Sequence, residues 1–318
     1  MNSYDVTALG ELLIDFTESG LSKQGNPLLE VNPGGAPCNV LAMLESLGKK
    51  TTFVGKVGLD VFGKRLERAI SKVGIDTSGL VKDKQVNTTL AFVHTLEDGD
   101  REFSFYRNPG ADMMLREDEV KEELIKNSRI FHFGSLSMTN EICFKATEKA
   151  VKIARENGVI ISFDPNLRAP LWDSLQNAKE KILLGIKWCD ILKISDNEIL
   201  WLTGEEDCYK AAQKLKGEYD IPLLLVSLGK NGSMAFCGES FCNASGFKVD
   251  TIETTGAGDT FCGCVLNFVL EHGFRVYSES ELCEMLTFAN AAAAIVTTRK
   301  GALAVMPSGE EIIGLLNS

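Results

Sequence analysis

The sequence predicts an α/β fold of three layers, α/β/α, with a mostly parallel central sheet and a small β-lid. From about residue 110 onward, short β-branched or aromatic runs alternate with longer helical segments, and the runs lie at 129–133, 159–163, 191–194 and 223–226. This alternation is typical of parallel strands joined by crossover helices. Helices cover both faces of such a sheet, which predicts the three layers.

Polar residues cluster where the predicted strands end. The clusters lie at 164–168, 195–198, 227–230 and, after a later strand, 256–259. Parallel strands bring their carboxyl ends to one edge of a sheet, and ligands bind beyond that edge. We therefore expect all four clusters to line one edge.

Two stretches, at about 13–31 and 88–107, break the alternation. Within the second, 88–96 and 103–107 have the composition of strands around a turn at Asp98-Gly99-Asp100. This pattern fits a small β-lid and a plain surface hairpin equally well. Because neither a linker nor an internal repeat is evident, we expect a single domain over residues 1–318.

Composition narrows the classes of function. The 318 residues carry a net charge of −11, from 44 acidic and 33 basic residues, and the longest basic cluster is Arg299-Lys300. A protein that binds nucleic acid through phosphates needs a larger basic patch. No stretch approaches the ~18 uninterrupted apolar residues of a membrane helix. The N-terminus shows no basic start followed by an apolar run. We expect a cytoplasmic protein with no nucleic-acid or membrane partner.

The nine cysteines and three histidines form no metal-binding pattern. No cysteine pair has Cys-x-x-Cys spacing, and the histidines at 94, 132 and 272 are far apart. These spacings argue against a structural zinc site. We expect all nine cysteines to be reduced.

The most informative segment is Thr254-Thr255-Gly256-Ala257-Gly258-Asp259-Thr260. Small residues let backbone N–H groups converge on an anion at the start of a helix, here predicted over 261–270. Asp259 would then stand in the first helical turn, where a base for a hydroxyl group is useful. Alone, the acid could simply stabilise the helix through its dipole. The segment indicates phosphoryl transfer to an alcohol.

Two other nucleotide motifs fail. Residues 58–65 nearly match a P-loop, but Arg65 stands where Ser or Thr must coordinate magnesium. No Gly-x-Gly-x-x-Gly follows the first predicted strand, where Leu-Gly-Glu-Leu stands at 9–12. A nicotinamide-dependent dehydrogenase therefore loses its main support.

Together with Gly34-Gly35-Ala36-Pro37-Cys38-Asn39 and a helix ending at Leu47-Gly48, the glycine turn resembles the two signatures of the ribokinase or PfkB carbohydrate kinase family. Segments 33–37, 105–112, 164–168 and 192–204 resemble its fructokinase branch. Cys38 replaces the usual Ala, and Glu253 stands where the family commonly has Asp. The resemblance covers essentially the whole chain.

The resemblance implies a ribokinase-like fold, a single kinase domain and a lid over the sugar site that often pairs with a second subunit. It implies ATP-dependent phosphorylation of the primary hydroxyl of D-fructose to fructose 6-phosphate. The alternative activity of a 2-keto-3-deoxygluconate kinase stays open, because Arg107 could recognise a carboxylate. Ribokinase or nucleoside kinase activity is a more distant alternative. A sugar sensor of this fold without catalysis also stays open, although the intact Asp259 argues against it.

The resemblance also implies the roles of individual site residues, from their positions in the matching segments. Asp259 would be the base, ionised with help from the helix N-terminus, and the amides of Gly256, Ala257 and Gly258 would stabilise charge on the moving phosphoryl group. Sugar ligands would be Asp15 at the end of the first strand, Gly35, Asn39, Arg107 from the lid, Arg168 from the sheet and, unless it only packs the lid, Tyr106. Arg168 is the better candidate for phosphate. Asp15 could instead be a loop acid, and either arginine could form a surface ion pair.

The resemblance also implies the nucleotide and metal ligands. ATP would contact Ser195, Ser227, Gly229, Gly232 and Asn290. Glu198 would organise Mg²⁺, through water, because magnesium keeps several of its waters. Glu253 and Thr255, with the backbone of 299–301, would hold a monovalent cation such as K⁺.

Overall fold

The structure is a computed structural model that describes residues 3–95 and 101–317. Strands of this part are β1 (Tyr4–Leu9), β2 (Leu13–Leu21), β3 (Pro27–Gly34), β4 (Thr51–Gly58), β5 (Asp76–Asp83), β6 (Leu90–Thr95), β7 (Arg101–Tyr106), β8 (Ser128–Gly134), β9 (Ile160–Asp164), β10 (Ile191–Ser195), β11 (Leu223–Ser227), β12 (Ser233–Cys237) and β13 (Ser240–Ala244). Helices are α1 (Ala36–Ser46), α2 (Val61–Lys72), α3 (Glu122–Lys126), α4 (Glu141–Glu156), α5 (Leu175–Trp188), α6 (Asp196–Thr203), α7 (Cys208–Tyr219), α8 (Ala257–His272), α9 (Glu279–Thr297) and α10 (Gly309–Leu316). Within the described ranges, no helix has both the length and the apolar content to cross a membrane.

The large sheet has nine strands in the order β13-β12-β11-β10-β9-β8-β1-β4-β5. Its strands are parallel from β11 to β5, and β12 and β13 are antiparallel. Alternate residues of β11 enter two separate cores, since Leu223 and Leu225 pack on one face and Leu224 and Val226 on the other. The four apolar runs are β8 to β11, so the predicted fold class is confirmed.

A second sheet has four strands in the order β3-β2-β6-β7, with β2 and β6 parallel. Its strands come from the two stretches that broke the alternation, although β3 runs on to Gly34. The ring of Phe16 stacks on that of Phe92 with centroids 4.7 Å apart, which joins the two stretches. The predicted turn at 98–100 lies outside the described residues. That this sheet acts as a lid on a single domain stays a prediction.

Three of the four polar clusters follow strands as predicted, after β9, β10 and β11. The fourth does not, because residues 245–256 before α8 are irregular. The amides of Ile252 and Glu253 donate to the carbonyl of Thr297, so the end of α9 holds this segment where a strand was expected. Gly256 still begins α8 at the ligand edge, because Gly256, Gly258 and Asp259 line a cavity together with Lys193 of β10 and residues that follow β9.

The prediction that all nine cysteines are reduced is wrong. Cys242 in β13 and Cys283 in α9 form a disulfide across 41 residues, and the other seven cysteines are free. The pairing was not visible in the sequence, because tertiary packing of β13 against α9 brings the two side chains together. The disulfide ties β13 to the helix that carries Asn290.

Candidate active site

A polar cavity of about 360 Å³ lies between the carboxyl edge of the large sheet and the small sheet. The small sheet contributes Asp15, Thr17, Asn32 and Phe105 to its wall. The opposite wall is formed by the start of α1, the start of α8, Lys193 of β10 and the segment that follows β9. Of the residues predicted to bind sugar or to act in catalysis, Gly35, Asn39, Asp15, Arg168, Gly256, Gly258 and Asp259 line this cavity.

Asp259 lies in the first turn of α8, buried at the wall of the cavity. The N-cap Gly256 has φ +79°, and a Cβ there would lie 2.5 Å from the Cβ of Ala302, so the turn needs glycine. Burial raises the pKa of Asp259, while a hydrogen bond from Asn39 and the charges of Lys193 and Arg168 oppose that rise. Desolvation is thus the largest effect on this carboxyl group, and the help that the helix N-terminus gives to its ionised form stays a prediction.

Asn39 on α1 holds the carboxylate of Asp259. Its Nδ2 donates to Oδ2 of Asp259 at 2.8 Å, across 220 residues of sequence. The Oδ1 atom of Asn39 is buried and has no hydrogen-bond partner in the described structure. Gly35 caps α1 with φ +132°, where a Cβ would lie 2.5 Å from the carbonyl oxygen of Glu11. The two signature motifs therefore meet at one carboxylate.

Asp15 and Glu11 place two more carboxyl groups in the same cavity. Asp15 lies in β2, and the prediction that it ends the first strand is wrong, because the chain forms β1 and a short connection before it. Burial raises the pKa of Asp15 to about 7, with Arg168 lowering it and Glu253 raising it. Glu11 accepts the backbone N–H of Ala36 at 2.9 Å, and burial raises its pKa to about 7.

Lys193 and Asp164 form an ion pair beside Asp259 that the sequence analysis did not single out. Nζ of Lys193 lies 2.9 Å from Oδ2 of Asp164, and both side chains are buried. Burial raises the pKa of Asp164 to about 6 despite the nearby ammonium group. The available signal was a lysine in the apolar strand β10, since an unpaired buried charge is strongly disfavoured.

The two predicted arginines have different surroundings. Arg168 is exposed at the mouth of the cavity, and its guanidinium donates to Oδ1 of Asn166 at 2.7 Å. Arg107 is buried and donates from Nε to Oδ2 of Asp112 at 2.7 Å and from its other nitrogens to Thr139 and Leu136. It does not line the cavity, so the prediction that it reaches the site is wrong. Its charge is neutralised in the buried ion pair with Asp112.

Tyr106 does not line the cavity, and of the two roles left open for it the structure favours packing within the small sheet. Successive side chains of a strand point to opposite faces, and Phe105 of β7 points into the cavity. Tyr106 therefore points to the other face, where it is 67% exposed and contacts the ring of Phe92 edge-on at 5.2 Å.

A second cavity, of about 240 Å³, lies on the other side of the glycine turn. It contains four of the predicted nucleotide residues, Ser227, Gly229, Gly232 and Asn290, and also Ala257. Its remaining wall is largely apolar, with Phe247, Val249 and small residues of α9. The amide of Asn290 accepts from Ser233 at 2.9 Å and donates to the carbonyls of Ala244 and Ser245, so it also fixes the end of β13. Thr254 and Gly258 line both cavities.

Ser195 does not lie in the second cavity but in a cleft of about 380 Å³ with Glu198, Arg168 and Lys193. Ser195 and Glu198 form a capping box at the start of α6. Oε1 of Glu198 accepts the N–H of Leu167 at 2.6 Å, and Oε2 accepts the N–H and the hydroxyl of Ser195. Because these bonds occupy both oxygens, the carboxylate suits an ion held through water.

Glu253 and Thr255 are brought together beside the glycine turn. The hydroxyl of Thr255 donates to Oε1 of Glu253 at 2.6 Å, and the N–H of Gly301 donates to Oε2 at 3.0 Å. The three residues predicted from the resemblance thus share one corner of the first cavity.

The class of protein follows from the position of the glycine turn. Two cavities meet at Gly258, one rich in carboxyl groups and one glycine-rich and apolar, and the buried Asp259 stands next to their junction. A polyol on one side and a nucleotide on the other would bring a hydroxyl group and a terminal phosphate to the same turn. These features define a phosphotransferase with an alcohol group as acceptor.

Comparison with known proteins agrees with this class. Residues 4–308 match the pfkB family carbohydrate kinases, and the chain belongs to that family. The protein described as probable fructokinase-2 of Arabidopsis thaliana is 42% identical over 313 residues, which cover 98% of this chain and 95% of the relative. The ATP-bound fructokinase of Xylella fastidiosa superposes with a TM-score of 0.90 at 30% identity, with 98% of both chains covered. A fructokinase of Vibrio cholerae O395, in a form with fructose, ADP and calcium ion, gives 0.89 at 29% identity over 99% of this chain and 100% of its own. The family and fold predicted from the sequence are confirmed.

Proposed function

We propose that this protein is an ATP-dependent fructokinase that phosphorylates the primary hydroxyl of D-fructose to give fructose 6-phosphate. The observation that carries the proposal is the glycine turn shared by the two cavities, with Asp259 beside it. Fructose enters the proposal through the relatives described as fructokinases, at about 40% identity over nearly the whole chain. The choice of ATP as phosphoryl donor is supported by the related fructokinase with bound ATP.

Asp259 accepts the proton of the sugar hydroxyl in this proposal. The sugar oxygen forms a bond to the terminal phosphorus and passes its proton to Asp259 as the bond from that phosphorus to the ADP oxygen breaks, and ADP leaves with the electron pair. The backbone amides of residues 256–258 stabilise charge on the moving phosphoryl group. Asn39 fixes the carboxylate of Asp259, with its Nδ2 at 2.8 Å from Oδ2. In a loose transition state the hydroxyl loses its proton late, so a carboxylate is basic enough.

Asp15 is the proposed ligand of the sugar hydroxyls, because a carboxylate can accept hydrogen bonds from two adjacent hydroxyl groups. The burial of Arg107 on Asp112 removes the observation that had kept 2-keto-3-deoxygluconate open, since that guanidinium does not line the cavity. Arg168 is the remaining arginine at the cavity, and we propose that it contacts the transferred phosphate. Fructose carries no carboxylate and needs no buried arginine.

The charged residues present suit the proposed ions. Mg²⁺ neutralises charge on the phosphates when it is bound, and Glu198 would hold it through water because both of its oxygens already accept protein N–H and O–H groups. Glu253, Thr255 and the 299–301 backbone would hold a monovalent cation such as K⁺. The cytoplasmic location expected from the sequence stays a prediction.

We also propose a homodimer formed through the small sheet. Leu21, Leu28 and Tyr106, all of this sheet, are large apolar residues with exposures of 69%, 47% and 67%. A dimer through this sheet would cover these side chains, and exposed apolar surface is one mark of an interface. A monomeric mass in solution at assay concentration would remove the dimer and leave the kinase proposal intact.

A coupled assay of ADP release tests the substrate. The full chain is assayed with ATP and Mg²⁺ against fructose, ribose, 2-keto-3-deoxygluconate and adenosine. Fructose should give the highest kcat/KM. If another acceptor turns over much faster, the proposed substrate is wrong while the kinase class stands. If none of the four acceptors leads to ADP release, sugar phosphorylation itself is contradicted.

A further inference from the structure

We propose that Lys193, held in place by Asp164, is a positioning residue that keeps the carboxyl group of Asp259 in its charged, proton-accepting form. The inference rests on the proposed function, because it assigns a partner to the base of that reaction. Lys193 acts through Asp259 and so sets the lowest pH at which the kinase works.

The first observation is where the ammonium group lies. A Cβ added to Gly258 would lie 3.0 Å from Nζ of Lys193, so this nitrogen packs against the first turn of α8, one residue before Asp259. Lys193 lines the polar cavity and also the cleft that contains Glu198. The ammonium group therefore stands between the proposed base and the proposed magnesium ligand.

The second observation is the charge balance of the buried groups. Lys193, Asp164 and Asp259 are 6%, 3% and 9% exposed, and one cation serves two carboxyl groups. Without the cation, two neighbouring buried carboxyl groups cannot both stay ionised, and one takes up a proton. A protonated Asp259 cannot accept the proton of a sugar hydroxyl. The buried lysine, together with the hydrogen bond from Asn39 and the charge of Arg168, thus keeps the base available.

The other titratable groups around this cluster come from several strands, helices and connecting segments. Burial and, as the smaller cause, the charge of Lys193 lower the pKa of His132 on β8 to about 3, so this imidazole is neutral at physiological pH. Burial raises the pKa of the Cys262 thiol on α8, which is therefore neutral too. Charged groups that face the cluster are Glu198 of α6, Arg168 after β9 and, along the cavity, Glu11, Asp15 and Glu253. Of the two cations among them, Lys193 is the buried one, and burial reduces the screening of its charge.

Asp164 has a role opposite to that of Lys193. It fixes the ammonium group at 2.9 Å but also neutralises part of its charge. Replacing Asp164 by Asn should leave more of that charge to act on Asp259. The two members of one ion pair are thus expected to shift the same base in opposite directions, which a purely structural pair would not do.

The test measures the pKa of Asp259 in the full chain labelled with ¹³C at aspartate carboxyl groups. The signal of Asp259 is identified by its loss in Asp259→Asn. We expect Lys193→Met to raise this pKa by about one unit or more and Asp164→Asn to lower it by about one unit, within the range for opposite charges in contact. Lys193→Arg should keep it near the wild-type value, and the double variant Asp164→Asn with Lys193→Met should lie between the single variants. That double variant replaces the ion pair by neutral groups, so it tests the inference even where Lys193→Met fails to fold.

The acid limb of the pH profile of kcat/KM for fructose should move in the same directions as this pKa. Lys56 is a matched control, because it is a buried lysine of β4 paired at 2.9 Å with both Asp83 and Glu119. Lys56→Met should lower stability and leave the acid limb where it is. The inference would be overturned if Lys193→Met and Asp164→Asn shifted the pKa of Asp259 in the same direction and by the same amount. It would also be overturned if Lys193→Met raised the KM for ATP and left the pKa of Asp259 unchanged. A wild-type chain inactive on fructose would contradict the proposed substrate, whereas the NMR titration would still decide the role of Lys193.

Discussion

The two cavities that meet at the glycine turn are built by different chemistry. The polar cavity is lined by four carboxylic residues from separate elements, Glu11, Asp15, Glu253 and Asp259, and burial raises the pKa of three of them. The second cavity is lined mainly by glycines, apolar side chains, hydroxyl groups and the amide of Asn290, and its described lining holds Lys230 but no carboxylic residue. We therefore expect substitutions on the sugar side to act through charge and pH, and substitutions on the nucleotide side to act through shape.

The largest effect is expected for Asp259→Asn. The amide keeps an oxygen that can accept the hydrogen bond from Asn39, but it cannot accept a proton from the sugar. We expect kcat to fall by about 10² to 10⁴ with little change in fructose KM or stability. Steady-state ADP release and thermal unfolding measure both. Asp250→Asn, which changes an exposed acid nine residues away (259 − 250), should behave like the wild type, and near-normal turnover of Asp259→Asn would refute its role as base.

The second largest effect is expected where the sequence analysis was wrong, at Arg107. Arg107→Met should lower the free energy of unfolding by about 3 to 5 kcal/mol, because it leaves the carboxylate of Asp112 buried without its partner. Arg168→Met removes an exposed charge, so stability should stay within about 0.5 kcal/mol while kcat/KM falls about tenfold. Urea unfolding and steady-state kinetics separate the two. If Arg107→Met is stable and loses fructose affinity, Arg107 is a sugar ligand after all.

The contrast between these arginines shows what the sequence can predict. Apolar runs with length and composition typical of parallel strands predicted β8 to β11, and the two glycine motifs predicted, through the family resemblance, that Asn39 and Asp259 belong to one site. The hydrogen bond between these two side chains was not predicted. Arg107 and Arg168 each follow a strand at the ligand edge, so local position could not tell them apart. The difference lies in the ion pair between Arg107 and Asp112. Asp112 is only five residues further along the chain, but whether the two side chains meet depends on tertiary packing.

The same reasoning explains two other gaps. The disulfide between Cys242 and Cys283 joins residues 41 apart in sequence, with no spacing rule to signal it. Lys193 belongs to a segment used for the family resemblance, but its partner Asp164 is in the neighbouring strand, and only the strand order brings them into contact. Pairs formed across elements are thus the part of the site that the sequence did not predict.

The nucleotide side is tested by Gly232→Ala. Gly232 has φ +105°, and a Cβ there would lie 2.0 Å from the carbonyl oxygen of Ala244. We expect a loss of about 2 to 4 kcal/mol of stability from strain and overpacking and a several-fold higher KM for ATP, with fructose KM unchanged. The matched control is Gly217→Ala, inside α7 with open space around its Cα, which should gain up to about 1 kcal/mol. A change in the pH profile of Gly232→Ala would contradict the division between charge and shape.

The smallest effect is expected for the stability of Asp15→Asn, and its sign depends on pH. Burial raises the pKa of Asp15 to about 7, above the value of about 3.9 in an unfolded chain. The neutral acid therefore favours folding fully below about pH 4, and this contribution is lost as the pH rises through about 7. Asparagine stays neutral, so the variant should match the wild type near pH 4 and be about 1 to 3 kcal/mol more stable at pH 8.

Fructose binding should move in the opposite direction. Loss of the charged acceptor should raise fructose KM about tenfold or more at pH 8, since charge-assisted hydrogen bonds are worth about 1.5 to 3 kcal/mol. Urea unfolding at pH 4, 6 and 8 gives the stability difference, and Asp173→Asn, a change of an exposed acid, should show no such trend. A variant less stable than the wild type at pH 8 would mean that Asp15 is held in its charged form by the fold. The polar cavity would then stabilise the charged form of its carboxyl groups even without substrate. Desolvation would not oppose the negative charge that binds the sugar.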